Sequence, residues 1–260
     1  MRFDQYLVST GIFESRNKAS AAVKEGSFTV NGKIVTKPAH EINEGDRILS
    51  VSERITYVAR SAHKLLRAFD RFDLRWEDKV IADFGASTGG FCQVLLANDV
   101  KKIFAVDIGT AQLHPSVKND PRIINMEHTN ARYLDRNSFS EPIHAITADL
   151  SFISIKSILP AIEKVLSTNG EAVVLVKPQF EVGPQNLTKK GVVKDRKLHL
   201  STLEEVCSFA EALNLGIYGI SFSGLAGESG NREYLLYLIK GKKSIISISN
   251  ASYAAVYLED

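Results

Sequence analysis

The feature that most constrains this chain is a repeated alternation of short apolar runs with helical stretches, which begins at Lys79. Such alternation is typical of βαβ units on a parallel sheet that is buried on both faces. The runs lie at residues 79–85, 102–108, 122–127, 144–150, 171–178, 216–224 and 233–241. The sequence therefore predicts an α/β domain with a seven-stranded sheet.

The last two runs differ from the others because only the loop LAGESGN separates them. This loop is too short for a crossover helix, so we expect the final pair to be an antiparallel hairpin. A doubly wound dinucleotide-binding fold would need a helix there, whereas the Rossmann-like seven-stranded sheet of methyltransferases ends in a hairpin, an analogy of fold only. Helices are predicted at residues 61–72, 89–98, 155–166 and 197–213.

Residues 1 to about 50 form a smaller α+β pattern. The Asn31-Gly32 pair is a strong hairpin signal, because both residues tolerate positive φ. Helices are predicted at residues 3–9 and 15–25, and short strands at 28–30, 33–35 and 47–50. We expect a small N-terminal domain with its linker at residues 1–58, a catalytic domain at 59–242 and a peripheral tail at 243–260.

Composition narrows the setting in which this chain works. Cys92 and Cys207 lie far apart with no neighbouring cysteine or histidine cluster, so neither a disulfide framework nor a metal site is expected. The start MRFDQYLVSTG lacks the features of a signal peptide, and no apolar run approaches a membrane span. We therefore expect a cytoplasmic protein. Its formal net charge of +2 says little about partners.

A glycine-rich loop, DFGASTGGF, follows the first strand at residues 83–91 and leads straight into a helix. Glycine lets the backbone approach a ligand, and the helix start offers unpaired N–H groups. The spacing meets neither the dinucleotide fingerprint nor the P-loop. Asp107 ends the next strand, where a carboxylate can bind both ribose hydroxyls of an adenosine. Either motif alone could be an ordinary turn or an exposed aspartate; together they predict a bound nucleoside.

Two charged residues end the fourth and fifth strands, Asp149 and Lys177. Ligands of open α/β sheets bind beyond the carboxyl ends of the strands, so both side chains should face the same crevice. If the chain is a methyltransferase, as the fold analogy indicates, transfer to a ribose hydroxyl would need a base and would need the hydroxyl to be positioned against the methyl group. Burial and a second cation favour a neutral lysine, whereas a carboxylate favours the charged form. Lys177 is thus either the base or an orienting cation.

Lys64 and Glu233 are two further candidates, although each alone reads more simply as a solvated helix residue or a strand-edge charge. Sequence spacing cannot bring them together. Two kinds of methylation are disfavoured by the sequence. Enzymes that methylate a base nitrogen commonly carry [DN]PP[YF] after the fourth strand, where this chain has DLSF. Enzymes that methylate a pyrimidine carbon need a thiolate nucleophile, and neither cysteine lies in the Pro-Cys setting of such a residue. Oxygen methylation remains.

Over nearly its whole length the chain resembles the TlyA-type family, whose members carry the names haemolysin and ribosomal RNA 2′-O-methyltransferase, and whose catalytic domain is FtsJ-like. The motifs that carry the resemblance are SAHKL, DFGASTGGF, VDIG, HTNAR, ADLSFIS, LVKPQFE, KGVVKD and SGNREY. The resemblance implies an S-adenosylmethionine-dependent enzyme that methylates cytidine ribose hydroxyls in small- and large-subunit RNA.

The resemblance also implies roles for individual residues. The family's Lys-Asp-Lys-Glu tetrad maps onto Lys64, Asp149, Lys177 and Glu233, with Lys177 as the expected base. Asp107 would hold the ribose and Asn130-Ala131 would lie near the adenine. The implied cofactor-binding residues are Gly85, Ala86, Ser87, Thr88, Gly89, Gly90, Phe91, Asp107, Asn130, Ala131 and Asp149.

The N-terminal residues resemble the alpha-L RNA-binding domain of a small-subunit ribosomal protein and many pseudouridine synthases, through RFD, ESRNKA and GSFTVNG. The resemblance implies phosphate contacts by Arg2, Arg16, Lys18 and Lys24, three of which fall close to one helical face. Without this resemblance, the simpler interpretation is that these basic side chains form a solvated surface.

Three alternatives stay open at this point. A membrane-damaging haemolysin is suggested by the family's name, although the sequence offers no evident lysin segment. A non-catalytic RNA-binding protein could keep the fold as a scaffold, and a small-molecule O-methyltransferase could share the catalytic domain. The four matching tetrad positions and the N-terminal domain favour a ribosomal RNA methyltransferase, with ribosomal RNA or subunits as partner and an oligomeric state that the sequence does not give.

Overall fold

The computed structural model of the protein describes residues 1–24, 26–31, 33–43, 45–50, 57–227 and 230–259. The chain divides into two compact units, Met1–Thr56 and Tyr57–Asp260. Four predicted features lie partly outside the described residues: the end of the helix at 15–25, the Asn31-Gly32 turn, the linker before residue 58 and the LAGESGN loop.

The N-terminal unit is an α+β fold in which two helices cover a small antiparallel sheet. Helix α1 spans Phe3–Ser9 and α2 spans Arg16–Lys24. Strands β1 (Phe28–Val30), β2 (Lys33–Ile34) and β3 (Ile48–Ser50) pair in the order β2-β1-β3. Asn31 adopts φ +52°, as expected for a residue between two paired strands. The core contains Phe3, Leu7, Ala19, Val23, Phe28, Val30 and Ile42.

The larger unit is built on a seven-stranded mixed sheet, which confirms the predicted fold class. Its strands are β4 (Val80–Phe84), β5 (Lys102–Val106), β6 (Ile123–Met126), β7 (Ile143–Ala148), β8 (Leu166–Val176), β9 (Leu215–Ala226) and β10 (Arg232–Lys240). They lie in the order β6-β5-β4-β7-β8-β10-β9, with the first five parallel. The last two form the expected antiparallel hairpin.

Helices cover both faces of this sheet. They are α3 (Ala62–Phe72), α4 (Gly90–Ala97), α5 (Pro115–Lys118), α6 (Leu159–Val165), α7 (Arg196–Ala212) and α8 (Ile248–Tyr253). Alternate residues of β4 point to opposite faces, so Ala82 joins one core and Ile81 the other. All five β4 residues are buried, which explains why four of them are apolar; the fifth is Asp83.

The position of β10 decides where the site forms. Strand β10 lies between β8 and β9 and runs antiparallel to both. Its first residues therefore lie beside the last residues of β8, with Tyr234 opposite Val176. A residue that begins β10 consequently reaches the same edge of the sheet as residues that follow β7 and β8.

The prediction of a peripheral C-terminal tail is wrong. After α8 the chain forms a π-helical turn, Ala254–Leu258, whose Ala255 and Val256 are fully buried in the main core. The Glu259 carboxylate then accepts hydrogen bonds from Ser221 Oγ at 2.6 Å and from the Phe222 amide at 3.0 Å. The sequence prediction missed this packing because the tail is rich in serine and only a few of its residues are apolar.

Candidate active site

Four charged side chains from four elements meet at the carboxyl edge of the sheet. Asp149 follows β7 and Lys177 follows β8, as the strand-end argument predicts. Glu233 is the second residue of β10, which starts at this edge because it runs antiparallel. Lys64 lies in the first turn of α3. The structure thus brings together two residues that sequence spacing could not.

These side chains form a continuous chain of ion pairs. Asp149 is in the middle: its Oδ1 lies 2.7 Å from Lys177 Nζ and its Oδ2 lies 3.2 Å from Lys64 Nζ. Lys64 Nζ also donates to Glu233 Oε2 at 2.6 Å. Two ammonium groups and two carboxylates have no formal net charge, which is the condition under which buried charges are tolerated.

Burial and ion pairing act in opposite directions on the pKa values of Lys64 and Asp149. Burial alone would lower the pKa of Lys64, but the charges of Asp149 and Glu233 outweigh it and raise that pKa above its ordinary value. Burial alone would raise the pKa of Asp149, yet Lys177 and Lys64 lower it below the usual range. Lys64 and Asp149 are therefore both ionised at neutral pH.

Two polar residues that the sequence analysis did not select extend the chain at its ends. Lys177 Nζ donates to Ser151 Oγ at 3.2 Å, and Gln179 Nε2 donates to Glu233 Oε1 at 3.4 Å. Both follow strand ends, Ser151 two residues after Asp149 and Gln179 two residues after Lys177. Their positions after strand ends could have identified them, but the sequence analysis selected only charged residues there.

The ion chain forms one wall of a cavity of about 600 Å³, a volume that suits a nucleoside-sized ligand. The first half of the glycine-rich loop forms another wall. Two aromatic rings, Phe152 and Phe180, complete the lining with centroids 5.5 Å apart. Among the described residues the lining includes Lys64, Gly85, Ala86, Ser87, Thr88, Phe91, Asp149, Ser151, Phe152, Lys177, Gln179, Phe180 and Glu233.

Glycine is required at position 85 for two reasons. Its φ is +86°, and a Cβ there would lie 2.8 Å from the backbone oxygen of Asp149. The loop therefore passes directly over the end of β7, next to the ion chain. Any larger residue at position 85 would push the loop away from the end of β7.

Other predicted cofactor residues support the loop from behind. The carboxylate of Asp107 accepts hydrogen bonds from the amides of Ser87 at 2.8 Å and Gly109 at 2.7 Å. Gly89, with φ +95°, caps the start of α4, and Gly90 begins that helix. These three residues do not line the described cavity.

Asn130 and Ala131 lie in a turn after β6, also outside the described cavity lining. The side chain of Asn130 accepts a hydrogen bond from the Arg132 amide at 3.0 Å, and Ala131 is buried in the main core. Their predicted position near an adenine therefore stays a prediction, because neither residue is among those that line the cavity.

A buried carboxylate that the sequence analysis did not select, Asp83, lies beneath the loop in β4. Its oxygens accept hydrogen bonds from Thr147 Oγ1 at 2.7 Å and Cys92 Sγ at 3.2 Å. Complete burial raises the pKa of Asp83 to about 6, and the same burial raises that of the Cys92 thiol. The arrangement ties β4, β7 and α4 together below the site.

The N-terminal unit carries the four basic residues predicted to contact RNA. Arg2 and Arg16 share the buried carboxylate of Asp4, at 3.0 and 2.9 Å. The hydrogen bond from Arg2 outweighs burial and, with Arg16, lowers the pKa of Asp4 to about 2. Lys18 pairs with Glu14 at 2.7 Å, and Lys24 is exposed. Asp4 thus holds two guanidinium groups that remain about half exposed.

Within the described part of the chain, no group of three or more histidine, cysteine or acidic side chains could hold a metal ion. No helix in those residues has the length and apolarity needed to cross a membrane.

Comparisons with known proteins agree with this architecture. The family model for the FtsJ-like methyltransferase matches residues 57–240, and that for the S4 domain matches residues 1–48. The 16S/23S rRNA (cytidine-2′-O)-methyltransferase TlyA of Mycobacterium tuberculosis is 38% identical over 239 residues, which are 91% of this chain and 89% of that protein.

Solved structures are similar as well. One from Streptococcus thermophilus that bears a hemolysin name has a TM-score of 0.75 and 36% identity, with 99% of this chain and 94% of that chain covered. A structure from Listeria monocytogenes that bears the name of an S-adenosylmethionine-dependent methyltransferase shares the fold at a TM-score of 0.53 and 14% identity, over 70% of this chain and 98% of that one.

The raised pKa of Asp83 predicts a pH dependence of stability. A folded-state pKa of about 6 means that folding favours the protonated carboxyl, so this contribution is complete below about pH 4 and is lost as pH rises through 6. We expect Asp83→Asn, which stays neutral, to raise the melting temperature at pH 7.5 by on the order of 5 °C.

Scanning calorimetry at pH 4.5 and 7.5 measures this effect. The variant's advantage should shrink at the lower pH, and Asp70→Asn, an exposed carboxylate on α3, is the matched control. An equal effect of Asp83→Asn at both pH values would show that Asp83 is ionised in the folded protein throughout.

Proposed function

Because this chain belongs to the FtsJ-like methyltransferase family, we propose that it transfers a methyl group from S-adenosylmethionine to a ribose 2′-hydroxyl of ribosomal RNA. The relative from Mycobacterium tuberculosis is named for cytidine in 16S and 23S RNA, and we propose cytidine as the target here as well. Such a substrate implies action in the cytoplasm, where ribosomes are made and work.

One observation carries this proposal: the ion chain from Lys177 through Asp149 to Lys64 and Glu233 lies beside the glycine-rich loop, in one cavity. The loop offers a backbone surface next to the strand ends, and the ion chain offers a lysine that is held in place but is not locked between two carboxylates. A hydroxyl in this cavity would meet both a proton acceptor and a neighbouring electrophile.

The residues present fit the cofactor. Gly85, Ala86, Ser87 and Thr88 line the cavity, and glycine at position 85 lets their loop pass close to Asp149, so a ligand in the cavity would meet both the loop and the ion chain. We propose that Gly85 to Thr88 and Phe91 bind S-adenosylmethionine. Asp107 would support the loop and accept hydrogen bonds from the ribose hydroxyls of the cofactor. Bound there, the cofactor supplies an electrophilic methyl group on a sulfonium centre.

Lys177 is the residue we assign to proton transfer. Lys64 contacts two carboxylates, Asp149 and Glu233, whereas Lys177 contacts only Asp149, which it shares. In the proposed step, Lys177 Nζ would first give up its own proton to water and would then accept the proton of the 2′-hydroxyl, as the ribose oxygen takes the methyl group and the C–S electron pair stays on sulfur. Asp149 then stabilises the resulting ammonium, which returns its proton to water.

The mouth of the cavity suits an RNA base. Phe152 is 92% exposed and adopts φ +63°, a strained conformation for a bulky residue. Its ring lies against Phe180, which also lines the cavity. Exposed aromatic rings beside a reactive site are the usual means of holding an unstacked nucleotide. We propose that these rings stack on the target base.

The N-terminal unit would hold the surrounding RNA. Its match to the S4 domain and its Arg2, Arg16, Lys18 and Lys24 side chains support phosphate contacts, which contribute affinity and register without reading sequence. The Streptococcus thermophilus structure bears a hemolysin name, which is the alternative function that the comparisons offer. For this chain, the buried ion chain and the loop favour group transfer.

The assignment of Lys177 predicts that Lys177→Ala lowers the rate of methyl transfer by about 10²- to 10⁴-fold, the usual contribution of a positioned base. Affinity for S-adenosylmethionine, measured by calorimetry, should stay within a few-fold. Lys164→Ala, in the last turn of α6 away from the cavity, is the matched control and should retain the wild-type rate. Near-normal turnover by Lys177→Ala would remove Lys177 as the base.

The proposed phosphate contacts predict a change in salt dependence. Replacing Arg16 and Lys18 together by alanine should weaken binding to ribosomal RNA and flatten the plot of log K against log salt by roughly one to two units. The double variant Lys242→Ala and Lys243→Ala removes the same charge from exposed positions of the larger unit and is the control. An unchanged slope in the first variant would mean that Arg16 and Lys18 form only a solvated face.

A further inference from the structure

The amide oxygen of Gln179 is a buried hydrogen-bond acceptor for which the described residues supply no donor. Its orientation is fixed by chemistry: the other end of the amide, Nε2, faces the Glu233 carboxylate at 3.4 Å. The amide nitrogen is the donor of this pair and the carboxylate oxygen the acceptor, so the amide oxygen points away from Glu233. Leaving a buried acceptor unpaired is costly, which indicates that a ligand supplies the donor.

Gln179 lies on a rigid turn that also carries two other side chains of the site. Residues Pro178–Phe180 form a single 3-10 turn, closed by a hydrogen bond from the Phe180 amide to the Lys177 carbonyl at 2.9 Å. Proline fixes its first φ. The turn thus presents the Lys177 amine, the Gln179 amide and the Phe180 ring to one cavity.

Glu181 anchors this turn to the loop that carries Phe152. Its carboxylate accepts hydrogen bonds from Ser154 Oγ at 2.6 Å and from the Ile155 amide at 2.7 Å. These bonds hold the turn that carries Gln179 and Phe180 against the loop that carries Phe152. A base stacked on the two rings would lie in the cavity that Gln179 also lines.

The donor that fits this acceptor is an exocyclic amine of a base. Cytosine carries such an amine at position 4, whereas uracil carries a carbonyl oxygen there, which would oppose the amide oxygen. We propose that Gln179 determines base specificity, by accepting a hydrogen bond from the 4-amino group of the target cytosine. The inference rests on the proposed function and adds to it the residue that separates cytidine from uridine.

The experiment measures kcat/KM on RNA transcripts that contain the mapped target as cytidine, as uridine or as a pyrimidinone nucleoside without the 4-amino group. We expect wild-type protein to prefer cytidine to each replacement by roughly 10- to 100-fold, because each leaves the buried acceptor unpaired or opposed. Gln179→Met, which keeps the side-chain length, should lower kcat/KM on cytidine to about the uridine value and so remove the preference.

Controls separate base recognition from other roles of Gln179. Gln185→Met changes an exposed glutamine of the next loop and should keep the wild-type preference. Affinity for S-adenosylmethionine and the melting temperature should be unchanged in Gln179→Met. If the variant slows cytidine and uridine equally, Gln179 acts through Glu233 instead, and if it weakens cofactor binding with the preference intact, the donor belongs to the cofactor; both results overturn the inference.

Substrate replacement tests the inference without depending on the variant's folding. Wild-type protein that methylates the ribose but does not distinguish cytidine from the 4-unsubstituted nucleoside overturns the role of Gln179 and leaves the proposed function intact. Wild-type protein that methylates no ribose in RNA overturns both.

Discussion

The whole site depends on one carboxylate, that of Asp149, which bridges two buried lysines. Removing it would leave two buried ammonium groups side by side, and breaking a buried ion pair in this way typically costs about 3–5 kcal/mol. Lys64 also pairs with a second carboxylate, Glu233, whereas Lys177 pairs with Asp149 alone among the described carboxylates. The two lysines therefore have different surroundings, and this difference is the basis on which we propose Lys177, and not Lys64, for proton transfer.

Sheet topology makes this bridge possible. Parallel strands β4, β7 and β8 deliver the glycine-rich loop, Asp149 and Lys177 to one edge, and antiparallel β10 adds Glu233 from the opposite direction. A seventh parallel strand would have carried Glu233 to the far edge of the sheet. Beneath the edge, Asp83 joins β4, β7 and α4 through Thr147 and Cys92, so the loop rests on a polar contact inside an otherwise apolar layer.

Much of this could be predicted from the sequence, for reasons that the structure makes clear. Strands buried on both faces give continuous apolar runs, so all seven were found, and the short loop before β10 showed its reversal. Asp149 and Lys177 were identified by the strand-end rule, but Lys64 and Glu233 were paired only through family resemblance, since their contact spans 169 positions. Ser151, Gln179 and Asp83 were missed because neutral or buried polar residues leave no pattern in spacing. The C-terminal tail was misjudged because two apolar residues, Ala255 and Val256, are too few to show a period.

The central claim is that this cluster methylates a ribose oxygen of ribosomal RNA. The most direct measurement incubates the purified protein with ribosomal subunits from cells that lack its gene and with isotopically labelled S-adenosylmethionine, and then identifies the labelled nucleosides by mass spectrometry. The account predicts label in 2′-O-methylcytidine. Label on a base atom, or RNA that stays unlabelled although the cofactor binds, would contradict it.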